Sequence, residues 1–297
     1  MDPMFSKSSY MRRHHNTWLD LFIILVTSIV VLRHASIPSW IDQGYPAFDA
    51  VGKAIIWVTG IVLPTFLFLA GYLCFRDSPQ KPDVRWFGQK YLCGLKRLVI
   101  PFLIANALSW GVYAAAYKFA PSMMSGFLDG DWQDPLFVLW KGPINLSLWL
   151  LREVIVSFLI LPVYYFLIRY TWGVATIAVG VLCAFHLLPE TVFWFALGAT
   201  FAILPLRIQR INLWMEQHSL HTPEDTFDWC YFIFLYHYIP QLIMKKIGIL
   251  LLPEINSAGL IAVWLLNALF LTVGLSAIYL LLRRFAPKVL AVVVGSK

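Results

Sequence analysis

Long apolar runs separated by short polar links dominate this chain. A membrane-crossing helix needs about 20 mostly apolar residues, each rising 1.5 Å. Eight runs meet or approach that length, at 18–37, 51–75, 98–119, 146–169, 172–188, 191–206, 229–247 and 258–282. The fifth and sixth are short, and Pro189 between them predicts a tight hairpin. The stretch 136–140 is too short to span and is expected to lie at the interface. The pattern predicts an all-α, polytopic membrane bundle of eight transmembrane helices. It divides the chain into an N-terminal segment (1–17), a transmembrane domain (18–285) and a tail (286–297).

Composition excludes a soluble globular domain. Apolar residues make up 60% of the chain and charged residues 13%, and the mean hydropathy is +0.71. Soluble domains are about half apolar and about a quarter charged. The 13 Trp, 13 Tyr and 22 Phe suit interfacial belts. Arg12-Arg13-His14-His15 resembles the basic start of a signal peptide, but no small-x-small cleavage site follows, so the first run is expected to remain as a helix.

The net charge of +7 is read as topology. Basic residues cluster before the first run, after the second (Arg76, Lys81, Arg85, Lys90, Lys96, Arg97), after the sixth and after the eighth. The alternate links hold Asp42, Asp49, Asp129, Asp131, Asp134, Glu190 and Glu254. This asymmetry predicts both termini in the cytoplasm. No basic stripe with interleaved aromatics stands clear of the apolar runs, so the partner is the lipid bilayer and not nucleic acid. Cys74, Cys93, Cys183 and Cys230 show neither CxxC pairing nor metal-ligand spacing, and no metal is implied.

Ionisable groups inside spanning helices cost about 2.5–3.5 kcal/mol each on insertion scales, so each needs a reason. Asp20 opens the first run and complements the helix dipole there, or acts in a site. Arg33 and His34 close it. Arg33 reads as a snorkelling anchor, and His34 as either a polar helix end or a general base. Arg152 and Glu153 lie about two turns into the fourth run. Neighbouring helical positions point about 100° apart, so the two are expected not to pair well with each other and to find partners on another helix or in a wet cavity, for function or in a structural ion-pair network. Trp149, one turn earlier, walls a cavity or belongs to a belt. His237 sits mid-run beside Pro240, which frees a backbone carbonyl, and serves packing or function. His186 falls near a helix end and reads as interfacial.

Several blocks, in order over nearly the whole chain, resemble the membrane-bound acyltransferase family 3. They are Leu19-Asp20 with a helix ending in His34, and Phe66-Leu67-Phe68-Leu69-Ala70-Gly71-Tyr72. Lys96-Arg97-Leu98-Val99-Ile100-Pro101 and Leu148-Trp149-Leu150-Leu151-Arg152-Glu153 follow, then Phe195-Ala196-Leu197-Gly198, Phe234-Leu235-Tyr236-His237 and the tail Arg284-Phe285-Ala286-Pro287-Lys288. Three positions depart from the family pattern. Ile23 stands where a basic residue precedes the first-helix His by eleven positions, Gly94 where an Arg-x-x-Arg pair begins, and Ala70 where a Ser precedes Gly71. The family tends to have about ten spans, and the polar link 209–228 falls where two more would lie.

The resemblance implies O-acylation of a sugar or envelope-glycan hydroxyl from acyl-CoA, most simply acetyl-CoA, in a bacterial inner membrane. It implies His34 as base, Arg152 as oxyanion partner, and Glu153 or Asp20 orienting His34. His237 would line the channel or assist proton transfer. Lys90, Lys96, Arg97, Tyr72 and Trp149 would meet the donor. The same polar groups would also serve a transporter or flippase for a polar or lipid-linked substrate, and the departures suit an inactive member that binds a partner.

Overall fold

From 54 to 75 no charged residue interrupts the chain, and Pro46–Phe75 forms one helix, α2, of 30 residues, about 45 Å long. The structure is a computed structural model that describes residues 17–35, 45–119, 145–204, 225–251 and 256–296. All regular structure among these residues is helical. Before α2 comes α1, Thr17–Ala35. After it, α3 (Val84–Gly94), a π-helical turn (Leu95–Val99) and α4 (Ile100–Phe119) run on as a single 36-residue stretch. The Asp83 carboxylate caps α3 by accepting from the Trp86 amide at 2.7 Å.

A short 3₁₀ turn, Leu146–Leu148, leads into α5 (Trp149–Leu159) and α6 (Leu161–Thr171). Then come α7 (Val174–Ala184), α8 (Glu190–Ile203), α9 (Thr226–Tyr236) and α10 (Tyr238–Leu251). The long α11, Ser257–Phe285, is capped by Asn256, which accepts from the Gly259 amide at 2.8 Å, and α12 spans Pro287–Val294.

Prolines set the breaks. Proline has no N–H to close the helical bond four residues back. Pro101 cannot donate to the Arg97 carbonyl, the ladder widens there into the π-helical turn, and the Tyr231 hydroxyl donates to that carbonyl at 3.0 Å. Pro162 follows the Ile160 break, where α5 and α6 bend by 64°. Pro240 follows the break at His237 between α9 and α10.

Among the described residues three helices are long and apolar enough to cross a membrane: Pro46–Phe75, Val84–Phe119 and Ser257–Phe285. The bent α5–α6 pair makes a fourth if it counts as one span. The apolar runs 172–188 and 191–206 fold as helices of only 11 and 14 residues, and 229–247 is split at His237. The stretch 136–140 and most of the link 209–228 lie outside the described residues.

The closest helix crossing joins α2 to α8 through two glycines. A Cβ on Gly71 would lie 2.1 Å from the Phe195 carbonyl oxygen, and one on Gly198 would lie 1.9 Å from that of Phe68. Small residues let helix backbones meet where side chains would hold them apart. The expected tail does not simply trail away. Its α12 turns Leu290 and Val294 into an apolar cluster with Leu275 and Tyr279. Gly295 then takes a left-handed φ of 66°, where its absent side chain leaves room for the Lys96 carbonyl.

Candidate functional site

The last turn of α1 ends in Arg33, His34 and Ala35. Two carbonyls of this segment, those of Val31 and Leu32, also accept from side chains of other helices. Gln241 Nε2 of α10 donates to the Val31 carbonyl at 2.9 Å, and Trp264 Nε1 of α11 donates to that of Leu32 at 2.7 Å. Arg33 donates to the Thr59 hydroxyl of α2. Three helices therefore hold the turn that carries His34. Arg33, expected as a snorkelling anchor, is tied into the bundle.

That clamp brings the His34 ring to 5.4 Å from the His237 ring and 5.8 Å, edge-on, from Tyr238. His237 is fully buried at the α9–α10 break. Its Nδ1 lies 2.9 Å from the Phe234 carbonyl and 3.2 Å from that of Ile233. A carbonyl only accepts, so Nδ1 carries the hydrogen, and in the neutral ring Nε2 keeps the basic lone pair. The break also opens the Leu235 carbonyl, to which Asn145 Nδ2 donates at 3.0 Å. Asn145 Oδ1 in turn accepts from the Ser147 amide at 3.2 Å and from its hydroxyl. Asn145 thus splices the entry of α5 to the broken helix one residue pair from His237.

Asn145→Ala would strand the Leu235 carbonyl in a buried site. It is expected to cost about 1–3 kcal/mol. A thermal melt of the detergent-purified variant checks this, and an unchanged midpoint would remove the splice from the account.

Two more residues join this region, through Tyr238 and through the backbone of His237. The buried Tyr113 of α4 brings its hydroxyl within reach of that of Tyr238. Gln241 is buried one turn beyond His237, and its backbone N–H donates to the His237 carbonyl at 3.2 Å. Neither residue stands out in the sequence. Gln241 could have been found four positions after His237, on the same helical face.

Arg152 and Glu153 form a second polar group, and here the structure corrects two expectations. Adjacent helical positions were expected to point apart, yet Arg152 Nη2 lies 2.8 Å from Glu153 Oε1, with Nε at 3.2 Å. The long guanidinium arm curls back across the 100° between them. Thr191, at the start of α8, donates to Glu153 Oε2 at 3.1 Å. Both oxygens of Glu153 are therefore engaged, and neither is bonded to His34. Asp20 does not orient His34 either. It is buried at the opposite end of α1, fourteen residues or about 21 Å away, facing the side of α9 that carries Cys230.

The residues expected from the resemblance to meet a donor lie on several other elements. Lys90 sits over the Trp86 ring at 5.2 Å, and Lys96 and Arg97 occupy the π-helical turn, Lys96 exposed and Arg97 half-buried. The turn is braced by Tyr231 and by the close approach of Gly295. Tyr72 is half-buried in the last turn of α2, and Trp149 is exposed at the start of α5. Lys90, Lys96 and Arg97 all fall in the first 14 residues of the α3–α4 stretch. Gly94 has a packing reason to lack a side chain, since a Cβ there would lie 2.2 Å from the Phe158 ring. Ile23 shares the His34 face of α1, three turns away. His186 is exposed just past the end of α7 with φ 57°.

Comparison with known protein families, with curated proteins and with solved structures finds no match.

Proposed function

We propose that this chain is an eight-span integral protein of a bacterial inner membrane, with both termini in the cytoplasm, that transfers an acyl group from acyl-CoA to a hydroxyl. The donor of choice is acetyl-CoA and the acceptor a sugar or envelope glycan. The observation that carries the reading is the His34–His237 pair at a broken helix. Imidazole titrates near neutral pH, so a clustered, clamped pair inside an apolar bundle is equipped to move a proton.

In this reading His34 takes the proton of the acceptor hydroxyl as its oxygen attacks the thioester carbonyl. The C–S bond then breaks, the ester is released, and the proton passes from His34 to the departing thiolate. His237, with Nδ1–H fixed on backbone carbonyls, presents Nε2 as a second proton station. Arg152 stabilises the oxyanion. Its Nε and Nη2 are held on Glu153, which Thr191 holds in turn, so the remaining N–H donors are preorganised. Lys90, Lys96 and Arg97 meet the phosphates of the donor, with Tyr72 and Trp149 along its path.

The test is free-thiol release from acetyl-CoA by the detergent-purified protein, with donor binding recorded on the same samples. Arg152→Ala is expected to lower turnover by about 10²–10³-fold, the usual effect of removing one oxyanion donor. A folded native sample that neither binds acetyl-CoA nor releases thiol sinks the acyltransferase reading.

A transporter or flippase is the second reading. Two broken helices and a half-buried Arg152–Glu153 pair are features that transport pathways also use. It predicts solute flux that depends on Arg152 and Glu153 and no thioester turnover. A binding-only family member predicts neither.

A further inference from the structure

Gln241 is 1% exposed, and its two amide atoms have different fates. Nε2 is committed to the Val31 carbonyl at 2.9 Å. Oε1 is buried and finds no hydrogen-bond donor among the described residues. The orientation of the amide is fixed, because the reversed form would set oxygen against the Val31 carbonyl oxygen. A buried, unsatisfied acceptor is costly and calls for an explanation.

Its position supplies one. Gln241 lies one helical turn beyond His237, and it grips α1 one turn before His34. Gln241 therefore ties the helix that follows His237 to the segment that carries His34, with one buried acceptor left over. A general base removes the proton of the hydroxyl that reacts. A neutral amide oxygen cannot do that work, but it can accept a hydrogen bond from a hydroxyl that stays intact.

Resting on the acyltransferase reading above, we infer that Gln241 Oε1 receives a second hydroxyl of the acceptor, next to the one that is acylated. Gln241 makes the site select vicinal diols, the arrangement sugars present, over lone alcohols. Its Nε2 keeps the end of α1 in place while Oε1 orients the acceptor, so Gln241 is a positioning residue for the acceptor.

The experiment compares trans-1,2-cyclohexanediol with cyclohexanol as acceptors for acetyl-CoA, by thiol release from the native full-length protein and from Gln241→Met. The native protein is expected to prefer the diol at least about tenfold in kcat/KM, because the lone alcohol leaves the buried acceptor unmet. In Gln241→Met the preference is expected to collapse to about one, read as the ratio of the two acceptors so that any loss shared through the α1 clamp cancels. A native ratio near one, or a ratio that survives in Gln241→Met, overturns the inference. So does an equal loss on both acceptors, which is what a purely structural clamp predicts. Should Gln241→Met not fold, Gln241→Glu serves instead. Its protonated carboxyl keeps a donor for Val31 and an acceptor oxygen, and loss of the preference in a folded Gln241→Glu overturns the inference. Absence of thiol release from native protein with either acceptor overturns the acyltransferase reading, and this inference with it.

Discussion

His34→Ala is expected to lower acyl transfer by about 10²–10⁴-fold, the range a positioned general base supplies. The protein should remain inserted and folded. His34 itself is half-buried, with the His237 and Tyr238 rings beside it. The helix end that carries it is held by backbone carbonyls on Gln241 and Trp264, which the substitution leaves untouched. Loss of thiol release should therefore come with unchanged donor binding and a similar melting midpoint. Added imidazole should restore part of the rate, since the truncation leaves space where the ring stood. Full turnover in a folded His34→Ala sample would assign the proton to another group, with His237 first in line.

Gly198→Ala carries the largest expected effect on stability, and it does not depend on any functional reading. The new methyl carbon would lie 1.9 Å from the Phe68 carbonyl oxygen and 2.9 Å from the Tyr72 amide nitrogen. Carbon and oxygen in close contact sit about 3.3–3.6 Å apart. Backbone atoms of α2 have no rotamer into which to retreat, so the helices must move apart. The contacts flanking the crossing, such as Phe68 against Phe201, would then open. Overpacking of this kind costs about 1–3 kcal/mol where side chains can adjust, and a backbone collision is expected at or above the top of that range. Gly274→Ala is the control. No heavy atom lies within 4 Å of its would-be Cβ, and an exposed helix position gains about 0.5–1 kcal/mol on that change. Melts in one detergent should separate the two variants in opposite directions. Equal midpoints would show that α2 and α8 do not meet at these glycines.

Several of these features follow directly from chain chemistry. Apolar runs with almost no charge must be helices if they are to satisfy their backbone in lipid, and α2, α4 and α11 fall where 51–75, 98–119 and 258–282 predict them, although the helix containing α4 begins fourteen residues earlier, at Val84. Proline chemistry is equally local, so a disruption at Pro240 was legible. Its outcome was not, because where the freed carbonyls go depends on Asn145, ninety residues away in sequence from Leu235. Arg152 and Glu153 were legible as a pair of costly charges but misread in geometry. Helical angles fix where the Cβ atoms point, whereas the reach of an arginine and the arrival of Thr191 from α8 decide where the charges meet.

By itself, the sequence determined which segments are apolar helices, where prolines interrupt them and which few polar groups are expensive enough to require partners. Those are properties of single residues and their neighbours within a turn. Only the tertiary structure decided that His34 meets His237 while Asp20 stays about 21 Å away, that Gly94 is the seat of the Phe158 ring, and that Gln241 ties α10 to α1. Each of these is a contact between helices. Helix crossings are set by the packing of small and large side chains on two surfaces at once, and the spacing along one strand of sequence carries no record of the partner surface.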